Sequence, residues 1–170
     1  METKEQRNIH YGVAEKGKIF AVQGNHKEAL RHYKEALRMC QSVPNSDIFF
    51  QHYSLCAMES LELMKSYNEV IEFCDKCLDF LDTKPDFENH PVFQKFKASL
   101  CERKGIQYLH LGEKEEAVYA FKEAQKNMDR KHLSLTADLL NWVLRGFAIS
   151  PKQIQDTQKS TIILRCEKTM

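Results

Sequence analysis

Cys74-Asp75-Lys76-Cys77 is the stretch whose residue types and spacing most directly suggest chemistry. Two thiols three positions apart can hold zinc or cycle between dithiol and disulfide. A structural zinc site takes about four ligands. The sequence offers no second CxxC and no close His pair to complete one. A redox pair is expected at a strand-to-helix junction, whereas Tyr67–Leu81 reads as a helix whose apolar stripe contains both thiols. Packing therefore outweighs chemistry here, because a free cysteine in such a stripe behaves as a small hydrophobe. The seven histidines are spread over His10, His26, His32, His52, His90, His110 and His132. None stands at a spacing from Ser or Cys that makes a nucleophile–base pair. Gly24 and Gly112 are single glycines, not a phosphate-binding loop. The expectation is no enzyme, no bound metal and no cofactor.

The elements that carry these residues read as helices in pairs. Ile9, Val13, Gly17 and Phe20 recur three or four apart, the spacing of one helix face, over about residues 4–23. Gly24 supplies a turn, Asn25 can cap, and a second helix follows to Cys40 with Leu30, Tyr33 and Leu37 on its apolar face. Pro44 to Asp47 breaks the pattern before a helix over Asp47–Lys65 and its partner over Tyr67–Leu81. Thr83 to Phe87, with Pro85, is the next break. His90-Pro91 then starts a helix to Leu111, because proline fits the first helical turn. Lys114–Met128 is its partner, Leu133–Arg145 a further apolar helix, and Ser150-Pro151 opens a short polar one.

Composition bounds the rest. The 170 residues suffice for one domain with a sizeable core. A net charge of +1 gives no electrostatic footprint for nucleic acid or an anionic membrane, and neither partner is expected. No apolar run approaches the roughly 20 residues that span a bilayer, and the opening METKEQRNIHYG lacks a secretory core. Six cysteines without such a segment point to reduced thiols and a cytoplasmic location.

One pattern occurs twice. Gly17, Phe20, Gly24, Ala29, Tyr33 and Ala36 are matched, interval for interval, by Gly105, Tyr108, Gly112, Ala117, Phe121 and Ala124. A middle copy is degenerate but in register, with Met58 for the first glycine and Val70, Cys74 and Cys77 at the later positions. Over about residues 9–128 the chain resembles the tetratricopeptide repeat, a helix-turn-helix unit of about 34 residues. Its spacing between copies is longer than that period, so helices or linkers are lengthened.

That resemblance implies an all-α, right-handed helical-repeat solenoid of three helix-turn-helix pairs with one or two C-terminal helices covering the last pair. The repeat domain with its covering helix would occupy residues 1–149, and a short helix and tail residues 150–170. The implied function is a non-enzymatic scaffold or adaptor holding a protein or peptide partner in a concave groove within a larger intracellular assembly; oligomeric state is left open. First helices of the pairs would line the groove with Tyr11, Ala14, Lys18 and Val22, then His52, Leu55, Glu59 and Leu63, then Ser99, Glu102, Arg103, Ile106 and His110. Solvated surface is the plain alternative for many of these side chains.

The first pair is also similar to that of immunophilin-type co-chaperones, which grip acidic chaperone tails with two lysines, two asparagines and an arginine by charge-assisted hydrogen bonds. The matching places here hold Ala14, Lys18, Cys56, Ser99 and Arg103. Arg103 alone is retained, while Glu59 and Glu102 would repel an acidic tail. Chaperone-tail binding thus stands as the alternative function, and zinc or redox chemistry at Cys74 and Cys77 as a remote one. Beyond the last helix, Ile162, Ile163 and Leu164 form an apolar run expected to dock, because an uncovered one invites aggregation.

Overall fold

The computed structural model describes residues 6–84, 89–128 and 133–161. Every regular element among them is a helix: α1 Gln6–Val22, α2 His26–Cys40, α3 Asp47–Leu63, α4 Tyr67–Asp82, α5 Pro91–Leu111, α6 Lys114–Asn127, α7 Ser134–Leu144 and α8 Pro151–Thr161. The protein is all-α. Its described residues form two compact units, 6–66 with α1–α3 and 67–161 with α4–α8.

The helix starts follow local chemistry. The Asn25 side chain accepts the Glu28 N–H at the start of α2, and the His90 ring accepts the Val92 N–H ahead of α5, where Pro91 takes the first turn. Ser150 and Gln153 cap α8 reciprocally. The Gln153 N–H donates to Ser150 Oγ at 3.2 Å, and the Ser150 N–H donates to Gln153 Oε1 at 2.8 Å. This two-way arrangement satisfies two donors that a helix start otherwise leaves open.

Four helices end the same way. After α1, the Gly24 N–H donates to Ala21 O and the Asn25 N–H to Phe20 O. After α5, Gly112 and Glu113 donate to Leu109 O and Tyr108 O. After α7, Gly146 and Phe147 donate to Val143 O and Trp142 O. Each ending needs one left-handed residue, and glycine supplies it at φ 77° for Gly24 and 80° for Gly112. After α3 the same bonds form from Lys65 and Ser66 to Glu62 O and Leu61 O, with Lys65 at φ 60°. The degenerate copy therefore keeps the turn without its glycine.

In the first unit α2 packs against α1 and α3, burying Ala29, Tyr33, Ala36, Leu37 and Cys40 on one face. Gly17 lies beneath Tyr33, whose Cε1 is 2.9 Å from where a Cβ would stand. In the second unit Gly105 lies in the same way beneath Phe121. There Ile106, Ala117 and Phe121 join Leu135, Leu139 and Leu140 of α7 and Ile154 of α8 in one core. Through Ile154, α8 is part of this unit, and the change of unit falls between Ser66 and Tyr67.

Ala29 and Ala117 are fully buried at equivalent positions of α2 and α6. Ala29→Leu and Ala117→Leu should each lower stability by roughly 1–3 kcal/mol through overpacking. Urea denaturation reads this directly, and unchanged midpoints in both variants would refute the packing described.

Candidate functional site

Helices α1 and α3 are tied together at their N-terminal ends by a buried polar contact. His10 Nδ1 and the Tyr53 hydroxyl share a hydrogen bond of 2.8 Å, and the Phe49 ring meets His10 edge-on with centroids 4.9 Å apart. Burial lowers the His10 pKa and raises that of Tyr53, so both stay neutral. A neutral pair of this kind positions two helices without carrying a buried charge.

Further along the same helices the surface becomes mixed. Lys18 pairs with Glu15 at 2.9 Å one turn away. On α3, His52 Nε2 lies 3.9 Å from Cys56 Sγ. The hydrogen bond with Cys56 raises the His52 pKa; burial opposes it, and Lys18 and Glu15 act on it with opposite signs. Near the C-terminal ends of α1 and α3 a shallow cleft is lined by Ala21 and Val22 of α1, His26 and Tyr33 of α2, and Cys56, Glu59, Ser60 and Leu63 of α3. Val22 is 48% exposed and Leu63 51%. The cleft itself measures only about 20 Å³, so the apolar area offered is the exposed surface of Val22 and Leu63, with carboxylate and imidazole beside it.

Of the residues singled out from sequence, Val22, Glu59 and Leu63 meet at this cleft. Lys18 and His52 are electrostatic neighbours on the same two helices, Leu55 is half-buried, and Tyr11 is exposed. Ala14 is buried. The α5 residues differ from expectation. Glu102 is 8% exposed, Arg103 7% and Ile106 2%. Ile106 belongs to the core beneath α7 and α8, and the Thr136 hydroxyl of α7 donates to the Glu102 carboxylate. All three are interior residues: α7 covers Glu102 and Ile106, and Arg103 is an electrostatic neighbour of Cys74 on α4. His110, half-buried, stacks flat on Tyr67 at 4.5 Å. Ile162, Ile163 and Leu164 lie outside the described residues.

His26, Ser60 and Ala21 were not foreseen at the cleft. The signal for His26 was present: the Gly24 turn returns the chain at once, so the first residue of α2 lies beside the last turn of α1.

Cys74 and Cys77 are both buried within α4, and no disulfide joins the described cysteines. Burial raises the Cys74 pKa far above that of an ordinary thiol, despite the attraction of Arg103. A thiol held protonated is a poor nucleophile. Among the described residues no group of three or more His, Cys, Asp or Glu is arranged to hold a metal ion, and no helix is long and apolar enough to cross a membrane. No family model matches the chain, and comparison with curated proteins and with solved structures returned no match.

Proposed function

We propose that the chain is a non-enzymatic scaffold of tetratricopeptide type that holds a protein or peptide partner against the face shared by α1 and α3. The observation carrying this reading is the cleft with Val22 and Leu63 exposed at its edge. Neighbouring aliphatic side chains about half exposed offer apolar surface of the kind that lines binding sites. The repeat reading is supported by the matched local geometry of the α1–α2 and α5–α6 pairs, in which Gly17 and Gly105 each accept an aromatic ring. Six cysteines, with no disulfide among the described ones, suit a reducing compartment such as the cytosol.

The chaperone-tail alternative needs Arg103 to meet a carboxylate at the surface, and the buried position of Arg103 beside Glu102 weighs against it. Zinc or thiol redox chemistry is disfavoured by the burial of both Cys74 and Cys77 within α4.

Val22→Arg/Leu63→Arg in the full chain tests the proposal. Exposed substitutions usually change stability by no more than about 0.5 kcal/mol, so the melting temperature should hold. Proteins that co-purify with the native chain should be lost by the variant, read by quantitative mass spectrometry. Retention of every one of them would remove the α1–α3 face from consideration.

A further inference from the structure

A larger cleft, of about 380 Å³, opens between α5 and α6, carried by different residues from the α1–α3 face. Cys101, Lys104 and Tyr108 line it from α5, and Glu115, Glu116 and Tyr119 from α6. Lys104 does not serve to neutralise the two glutamates. Its ammonium is 2.5 Å from Asp75 Oδ1 of α4, and that contact raises its pKa against the effect of burial. Glu115 and Glu116 form no ion pair among the described residues. Burial raises the Cys101 pKa, so the thiol adds no charge of its own.

The glutamates have a local role in the first turn of α6, where the helix N-terminus favours negative charge. That role does not account for Tyr119, which is 69% exposed. Tyr119 follows Glu115 and Glu116 by four and three positions, the spacing that puts side chains on one helix face. A large aromatic ring left in solvent beside two carboxylates that form no ion pair, in a cleft with a second tyrosine, fits one kind of ligand. Cations are drawn to tyrosine faces, and a guanidinium or ammonium makes its strongest hydrogen bonds to carboxylates. Phosphates and acidic peptides would be repelled.

We propose that this cleft docks a basic side chain, arginine or lysine, from a peptide partner, with its aliphatic stem against Tyr108 and Tyr119 and its charge at Glu115 and Glu116.

The test uses the full chain and a fluorescein-labelled peptide of alternating alanine and arginine, with the citrulline peptide of the same length as its neutral twin. Fluorescence anisotropy in dilute buffer should show binding of the arginine peptide and much weaker binding of the citrulline one. Glu115→Gln/Glu116→Gln should weaken binding about fivefold, as expected for two exposed charge pairs. Tyr119→Ala, at an exposed position that threatens no core, should weaken it about threefold. The comparison variant Glu69→Gln/Glu72→Gln removes two exposed charges from α4 and should leave affinity within twofold of the native chain. Equal binding of the citrulline peptide overturns the proposal. So does an equal loss in the α4 variant, which would mean diffuse attraction to net charge. Self-association of the chain that Glu115→Gln/Glu116→Gln abolishes also overturns it, in favour of a second copy as the occupant.

Discussion

Gly105→Ala should lower the stability of the chain by about 1–3 kcal/mol through overpacking, while Gly12→Ala should raise it by about 1 kcal/mol through helix propensity. Both glycines lie inside helices, so the propensity gain is common to both. Surroundings set the sign. Around Gly12 there is no heavy atom within 4 Å of the added carbon. At Gly105 that carbon would be 2.6 Å from Phe121 Cδ1 and closer still to Cε1. The ring cannot swing aside, being fully buried in the core with Leu135, Leu139 and Ile154. Gly17→Ala should fall between the two, since the nearest atom is 2.9 Å away on Tyr33. Urea denaturation of the three variants gives the order, and a stabilised Gly105→Ala would show that α5 and α6 do not approach as described.

Thr136→Val should cost about 1.5–3 kcal/mol at pH 7, the range for a hydrogen bond to a buried charged group, and less at pH 5. Thr136 donates to a Glu102 carboxylate whose pKa is raised, first by burial, with the Thr136 bonds and Arg103 opposing. A raised carboxyl pKa means the folded chain holds that proton more tightly than the unfolded one. This group's effect on stability therefore improves as pH falls towards the folded pKa, and is least favourable above it. Removing the donor makes the charged form worse still, so the loss should be largest where Glu102 is ionised. Adding Glu102→Leu to Thr136→Val should recover part of the loss, because the buried carboxylate is then removed together with its donor. Equal losses at both pH values would contradict the role given to the hydroxyl.

The helices were legible because their ends carry explicit chemistry. Asn25, His90-Pro91 and Ser150-Pro151 mark starts, and Gly24, Gly112 and Gly146 mark stops. The close approach at Gly17 and Gly105 could be read from two matched copies of one pattern. Coverage of each face could not. Helix α5 is buried around most of its girth, Glu102, Arg103 and Gln107 included, and periodicity has no contrast to offer when opposite faces are both covered. The polar ties were also hidden. His10–Tyr53 and Glu102–Thr136 join residues 43 and 34 positions apart, and nothing local in either partner announces the other. Register alone groups Val22, Glu59 and Leu63, which line one cleft; away from it, the left-handed turn at Lys65 carries no glycine to announce it.

The five described thiols have a kinetic consequence. Cys40 and Cys56 are buried in the first unit, and Cys74, Cys77 and Cys101 in the second. Burial pushes Cys40 to about 11 and Cys101 upward as well. Thiolate is the species that alkylating reagents and peroxides attack, so at neutral pH Cys40 and Cys74, buried and raised in pKa, become targets only when their surroundings open. Each unit thus contains its own clock for opening, set by folding and not by thiol chemistry. In an oxidising episode Cys40 and Cys74 of folded molecules would pass unmarked, and the covalent record at these two positions would be written on molecules that had come apart.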